Sequence, residues 1–331
     1  MPVSIKDIAK EAGVSPSTVS RALRDHPRIN RDTKANIQNL ATAMGYVPSA
    51  VARDLVARQT ATIGIVIGRL SDPFYDRLML GLEDGAVSAG YRVLLSSFNR
   101  DAKREAEIVH DFSERRVDGI IVAGAETIEA YISPERKFMP PSVLINRPGY
   151  PYSVSSDSFE GARRVIKHMI ELGHRRIAYV TWGSEHPDGM PRLSGYQATL
   201  NEYGIAMDDD LIVHGDGQIT GGIKAVPRLL GLSSPPSAIF CFNDMTAIGV
   251  INALRQKGCE VPRDVSVAGF DDLEMAAYYH PSLTTVRQPT YRIGRHAVNM
   301  LLRLVREEGD VVPKILEPEF VARESTAPIA I

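Results

Sequence analysis

The residues with the plainest chemistry lie on one face of a short stretch, VSPSTVSRAL, from Val14 to Leu23. Ser15 is a good helix N-cap, and Pro16 falls at the first helical position, where a missing N–H costs nothing. Val19, Ala22 and Leu23 recur at i, i+3 and i+4, which is the apolar stripe of a helix. Off that stripe stand Ser17, Thr18, Ser20, Arg21 and Arg24, hydroxyls and guanidinium groups with no carboxylate among them. Such a face suits phosphate oxygens and base edges better than a protein partner. Taken alone, the stretch fits a solvated surface helix better; its neighbours decide.

Ser4 is placed to cap a preceding helix, with Asp7 as its capping-box partner. Ile5, Ile8, Ala9 and Ala12 form the apolar stripe of that helix, and Gly13 ends it. Two short helices joined by a tight glycine turn are a helix-turn-helix signature. A third helix is expected from Asn30, through Ile37, Leu40, Ala41 and Met44, to a stop at Gly45. Three such helices make a small but viable domain. The stretch YVPSAVARDLVARQT follows, where Ser49 to Arg58 can form a short helix with Val51 and Leu55 one turn apart and Arg53 and Arg58 beside them. A helix of that length is marginal without something to dock on, so the segment reads as a linker.

The 331 residues allow about two domains. The net charge of −2 conceals an asymmetry: residues 1–60 hold nine basic and five acidic side chains, leaving them at +4 and the remainder at −6. A basic head on an acidic body favours a polyanionic partner for the head. Cys241 and Cys259 are the only cysteines, too few for a disulfide framework and in no metal-ligand cluster, which fits a reducing cytoplasm. The N-terminus lacks the apolar stretch of a signal peptide, and no apolar run is long enough to span a membrane.

The head and linker resemble the DNA-binding head and hinge of the lactose-repressor (LacI) family of bacterial transcription regulators. The resemblance is carried by IKDIAKEAGVSPSTVSRAL, INRDT and GYVPSAVARDL. It implies that the helix from Pro16 to Leu23 enters the major groove, with Pro16, Ser17 and Arg21 at base-reading positions. Arg21 can be bidentate to guanine, whereas Pro16 has only an apolar contact to offer. Ser15, Thr18, Ser20, Asn30, Thr33 and Tyr46 match phosphate-contacting positions, and Ser4 is a further expected DNA contact. Two hinge helices, one per subunit, would lie in the minor groove. Leu55 matches the side chain that wedges between base steps, Ser49 and Ala52 would face the groove floor, and Arg53 is a further expected DNA contact.

From Thr62 onward short apolar strands alternate with helices. TIGIVI, YRVLLSS, VDGIIVAG, SVLIN, VSSD, RRIAYVTW, SAIFCF and DVSVAGF read as strands, with helical stretches between most of them. That alternation means parallel sheets covered by helices, and two series of nearly equal length predict two similar subdomains with a cleft between them. The fold class is therefore an all-α helix-turn-helix head plus hinge helix, then an α/β body of two doubly wound parallel-sheet subdomains. The resemblance agrees, since the family's body looks like a periplasmic sugar-binding protein. The expected boundaries are a head at 1–46, a hinge at 47–60 and a body at 61–331. The first subdomain takes 61–158 and 289–317, and the second takes 159–288 and 318–331. The chain would thus cross three times, near 158, 288 and 318.

Ligands of open α/β sheets bind at the carboxyl ends of the strands. The residues placed there include Asp72, Phe74 and Tyr75; Asn146 and Arg147; Asp157; Trp182, His186, Asp188 and Arg192; Asn243 and Asp244; and Asp271 and Asp272. Acids, amides, one central arginine and aromatic faces suit a polyhydroxylated ligand. By resemblance, Arg192, Asn243 and Asp271 match effector-binding positions most closely, and Asn146, Asp157 and His186 match them through more variable loops. Each Asp also fits the plainer role of helix N-cap. Trp182 stands where many relatives have a small residue.

The resemblance implies a homodimeric repressor of carbohydrate-use genes that binds a pseudo-palindromic operator and a sugar or sugar-derived effector. Its dimer face would use residues 74–89 and 243–257. No cofactor, metal or membrane is expected, and the location would be the cytoplasm, at the nucleoid. A purine or other non-sugar co-repressor is an alternative ligand. A nucleotide-dependent enzyme and a transport binding protein are weaker readings. GDGQITG, from Gly215 to Gly221, has dinucleotide-loop spacing but lies mid-chain and lacks the acid that should follow it. Arg192 would suit a hydroxyl, a carboxylate or a phosphate. The residues leave inducer against co-repressor, and dimer against tetramer, open.

Overall fold

A computed structural model describes residues 3–46, 60–126, 128–132, 139–183 and 189–329. Two compact units result, Met1–Thr60 and Ala61–Ile331.

In the first unit, α1 is Ile5–Ala12, α2 is Pro16–Leu23 and α3 is Arg31–Ala43. Each starts at a side-chain cap. Ser4 Oγ accepts from the Asp7 N–H while Asp7 Oδ2 accepts from the Ser4 N–H, a reciprocal capping box. Ser15 Oγ accepts from the Thr18 N–H at 3.1 Å, and Asn30 Oδ1 accepts from the Thr33 N–H at 2.7 Å. Gly13, at φ 68°, ends α1 in the left-handed conformation that lets α2 begin three residues later. Ile8, Ala9, Val19, Ala22, Ile37 and Ala41 form the shared core. Leu23, on the expected stripe of α2, is only half-buried.

In the second unit, the strands are β1 (Thr62–Ile67), β2 (Arg92–Ser97), β3 (Gly119–Ala123), β4 (Ser142–Ile145), β5 (Ser153–Ser156), β6 (Ile177–Thr181), β7 (Ile212–His214), β8 (Ala238–Cys241), β9 (Ser266–Ala268), β10 (Thr285–Arg287), β11 (Lys314–Leu316) and β12 (Glu319–Val321). The helices between them are α4 (Tyr75–Ser88), α5 (Ala102–Glu114), α6 (Glu129–Ile132), α7 (Ser158–Glu171), α8 (Gly189–Glu202), α9 (Ile219–Leu230), α10 (Asp244–Gln256) and α11 (Thr290–Val305). One sheet runs β11-β5-β4-β3-β1-β2 and another β7-β6-β8-β9, all pairs parallel.

The alternation of strand side chains makes each sheet two-faced. Ile63, Ile65 and Ile67 of β1 meet α4 and α11, while Val66, Ile120, Val122 and Leu144 meet Phe112 of α5 on the other face. In the second sheet, Val180, Ile239 and Cys241 face α9 and α10, whereas Tyr179 and Phe240 face α7 and α8.

The chain leaves the first sheet after Ser156, and α7 packs in the core of the second. It returns with α11, whose Ile293, Ala297 and Leu301 belong to the first core, and then adds β11 to the first sheet. One feature departs from an all-parallel expectation: β10 and β12 form a separate antiparallel pair, with Val286 opposite Phe320. These two short strands run beside each other in opposite directions because they carry opposite crossings between the halves.

Candidate functional site

On α2, Ser15, Pro16, Ser17 and Arg21 are exposed. The hydroxyls are linked: Ser15 Oγ lies 2.7 Å from Ser17 Oγ and 2.9 Å from Thr18 Oγ1. Arg24 is turned back along the helix, donating from Nη2 to Ser20 Oγ at 2.7 Å and from Nε to the Ser20 carbonyl at 3.1 Å. Arg21 makes no such side-chain bond among the described residues, so its fork of donors points outward unengaged. Ser4, Asn30 and Thr33 sit at helix starts, Ser4 with its hydroxyl on Asp7, while Tyr46 packs beside the head's core. Ser49, Ala52, Arg53 and Leu55 lie outside the described residues, as do the rest of the hinge from 47 to 59 and, in the body, His186 and Asp188.

In the body, backbone strain gathers at the carboxyl ends of strands. Asn99 and Arg100 after β2, Asn146 after β4, and Asp271 and Asp272 after β9 all have positive φ. Non-glycine residues resist that region, and it concentrates where side chains are aimed for a purpose.

Arg192, from α8, sits at the centre of the second half's mouth. Its guanidinium carbon lies 3.8 Å over the Phe270 ring and 4.3 Å over the Phe242 ring. Nη1 donates to the Phe242 carbonyl, and Nη2 is 3.6 Å from Asp271 Oδ1. Asp271 also accepts from Gln288 Nε2 at 2.7 Å. Two buried polar atoms, Arg192 Nε and Gln288 Oε1, have no hydrogen-bond partner among the described residues. Such atoms are rare and call for a partner.

Several other expected residues are engaged structurally. Asn243 caps α10: Oδ1 accepts from the Thr246 N–H at 2.9 Å, and Nδ2 donates to the Gly217 carbonyl at 2.9 Å. Asp157 caps α7 through the Glu160 N–H. Asn146 Oδ1 accepts from the Ser156 N–H at 3.3 Å. Tyr75 is a core residue whose hydroxyl accepts from the Gly68 N–H at 3.2 Å and donates to the Ala123 carbonyl at 3.4 Å, with Phe74 edge-on to its ring. Asp72 accepts from the Phe74 N–H, and burial pushes its carboxyl above the usual range against the opposing pull of that N–H and of Arg100. Beneath Asp271, Asp244 is fully buried between the Leu273 N–H and the Thr285 hydroxyl; burial first, and then Asp271, push its carboxyl well up.

The glycine cluster at 215–221 folds on its own acid. Asp216 accepts from the Gln218 and Gly221 amides, each at 2.9 Å, and from the Thr220 hydroxyl at 2.8 Å. Amides spent on Asp216 are not free to cradle a pyrophosphate.

Two residues absent from the sequence-based set join the site. Arg100 lies 4.0 Å from Asp72 and 3.9 Å above the Trp182 ring, and Gln288 holds Asp271. Arg100 stands three residues past a strand end, where the strand-end rule would have found it. Gln288 sits in a crossover segment and carries no such signal. Among the described residues no helix is long and apolar enough to cross a membrane, and no group of metal-ligating side chains gathers.

A capped helix-turn-helix with an outward arginine, and a two-sheet body with a polar mouth, define a class: a DNA-binding transcription regulator with a small-molecule-sensing body. Comparison with known proteins agrees. Residues 4–49 match bacterial regulatory proteins of the lacI family, and residues 166–326 match a periplasmic binding protein-like domain. The HTH-type transcriptional regulator RegA of Clostridium saccharobutylicum is 35% identical over 98% of this chain and 100% of its own. A lac repressor dimer bound to operator and the anti-inducer ONPF has a TM-score of 0.87 at 25% identity, covering 99% of this chain and 100% of that one. The regulator CelR in complex with cellobiose has a TM-score of 0.74 at 28% identity over 98% and 99%. The chain belongs to the lacI family: it is a DNA-binding transcriptional repressor with an effector-binding body, and not an enzyme.

Proposed function

We propose that the chain represses carbohydrate-use genes from the cytoplasm, as a homodimer on a pseudo-palindromic operator, and that a sugar or sugar derivative bound between the body's two halves switches its grip. A twofold dimer reads a twofold site. In this reading the head is 1–46, the hinge 47–60, and the body 61–331. Pro16, Ser17 and Arg21 face base edges, Ser15, Thr18, Ser20, Asn30, Thr33 and Tyr46 face phosphates, and Leu55 wedges into the minor groove. Among these, Arg21 carries most of the sequence preference, because Pro16 has no donor and Ser17 shares its hydroxyl with Ser15.

The observation that carries the effector assignment is the Arg192–Asp271–Gln288 set, an ion pair with two buried polar atoms lacking partners among the described residues. A donor, an acceptor and the acid between them match adjacent hydroxyls of a sugar. The CelR complex with cellobiose adds support from a relative of like fold. Effector and operator are linked through one coupling free energy, the same when measured from either side. A hinge helix marginal on its own is a natural element for that coupling to gain or lose.

The test is a thermal-shift screen of the full chain against sugars, sugar acids, sugar phosphates and purines. A ligand at a hundred times its Kd stabilises by about 2.7 kcal/mol. Sugars should raise the melting temperature and change operator affinity. A response confined to purines would overturn the carbohydrate reading while leaving the cleft in place.

A further inference from the structure

The two halves of the body touch at the mouth of the cleft through a side chain of one and a ring of the other. Arg100 belongs to the first half, between β2 and α5. Its guanidinium carbon lies 3.9 Å from the centroid of Trp182, which follows β6 in the second half. Both partners are held from behind.

On the first rim, Asn99 and Arg100 are successive left-handed residues, at φ 51° and 62°, a conformation that L residues resist. The turn is fixed on both sides, by the Phe98 N–H on the Ile67 carbonyl and by Asp101, which caps α5 through the Lys103 and Arg104 amides. The guanidinium passes over bare backbone: a Cβ on Gly68 would stand 3.4 Å from Arg100 Cζ, and one on Gly124 3.9 Å from Nη1. Asp72 Oδ2, 4.0 Å away, supplies the opposite charge.

On the second rim, Trp182 rests edge-on against Phe242, with ring centroids 5.0 Å apart. Gly217 lies against the indole so closely that a Cβ there would come within 2.8 Å of Trp182 Cδ2. Asn243 pins Gly217 in turn. An uncovered indole at this mouth would be a hydrophobic face opposite a strained arginine. Instead the cation lies on the ring, the arrangement that the ring quadrupole favours.

We propose that Arg100 and Trp182 form a cation–π latch that holds the two rims of the cleft together. Any ring that occupies the indole face must first displace Arg100. The latch thus belongs to the selection of what enters, alongside the Arg192–Asp271 pair deeper in the second half.

Trp182 is the single tryptophan of the chain, so its emission reports on the latch directly. The experiment uses the full chain, with acrylamide as quencher. Arg100→Met keeps an extended apolar side chain and removes the charge; Arg100→Lys keeps a cation without the planar fork. In Arg100→Met the emission should move to the red, and quenching should rise as the touching population falls about two- to five-fold. Arg100→Lys should lie between Arg100→Met and the parent chain. Unchanged emission and quenching in Arg100→Met would overturn the latch.

A second measurement separates holding from mere covering. Spin labels at Glu107→Cys on α5 and Lys224→Cys on α9, with Cys241 and Cys259 replaced by Ala, report the distance between the halves. Its distribution should lengthen or broaden in Arg100→Met. An unchanged distribution with an exposed indole would show that Arg100 only covers the ring, and the proposal fails. If Arg100→Met does not fold, Trp182→Leu takes its place in the distance measurement with the same expected and overturning results. Neither readout involves an effector, so failure of the latch leaves the carbohydrate reading standing.

Discussion

Arg192 Nη2 lies 3.6 Å from Asp271 Oδ1, and only 4% and 7% of the two side chains reach solvent. Removing one partner of a buried pair leaves the other charge uncompensated, at a cost of about 3–5 kcal/mol. Arg192→Met should therefore lose stability of that order in chemical denaturation, together with all response to the effector. The double variant Arg192→Met with Asp271→Asn should recover much of the stability and none of the response. If response returned with stability, the pair would serve only to hold the fold.

On α2, Arg21 is exposed and makes no side-chain bond among the described residues, while Arg24 is folded back onto Ser20. Arg21→Ala should weaken operator binding by about 1–3 kcal/mol, concentrated at one base position in each half-site. Arg24→Ala should weaken binding evenly across sequences or hardly at all. Competition binding against a set of operators with single base changes measures both. An even loss for Arg21→Ala would make it a phosphate contact.

The head was nearly all legible in sequence because its determinants are local. Ser4, Ser15 and Asn30 are caps that act within three residues, and Gly13 turns the chain by its own conformation. The strand-helix order of the body was legible for the same reason. What escaped depends on residues far apart in the chain. β10 and β12 are three residues each, and they pair only because two crossings meet. The helix α11 has a helical apolar pattern in Ile293, Ala297, Met300 and Leu301, yet its place in the first core follows from the return crossing. At the mouth, Asn243 reads from sequence as a ligand contact, and only the Gly217 carbonyl and Thr246 N–H show that both ends of its amide are engaged in capping and loop contacts. Arg100 could have been found by the strand-end rule, but its pairing with Trp182 could not.

Both halves of the body contain a helix pair in backbone contact through glycine. A Cβ on Gly81 of α4 would come within 2.2 Å of the Tyr291 carbonyl oxygen of α11, and one on Gly249 of α10 within 2.1 Å of the Ile219 carbonyl oxygen of α9. Backbone cannot rotate away as a side chain can, so the helices must separate. Gly81→Ala and Gly249→Ala should each cost about 1–3 kcal/mol in thermal or denaturant unfolding. A change within about 0.5 kcal/mol, the range of an ordinary surface substitution, would mean that the helix pairs part freely.

The segment after β12 is tied down by two histidines. His174 Nδ1 lies 2.9 Å from Ser237 Oγ, and Nε2 lies 3.0 Å from Ser266 Oγ and 3.1 Å from the Ala327 carbonyl oxygen. His168 Nε2 is 3.0 Å from Thr326 Oγ1. Burial lowers the pKa of both rings, against the Ala327 carbonyl at His174 and against Glu171 at His168. A ring whose native pKa is depressed contributes stability above its unfolded value, and that contribution is lost as pH falls through the native value. The tail should therefore loosen as pH drops below about 6.5, the ordinary imidazole value. Hydrogen exchange should show it first at the Ala327 amide, which donates to Ser266 Oγ, and at the Ile329 amide, which donates to the Leu172 carbonyl. His174→Gln should start less stable at neutral pH and lose less on acidification, so the two unfolding curves converge. Parallel curves through that range would place the charge on some other group and leave His174 as a neutral strut.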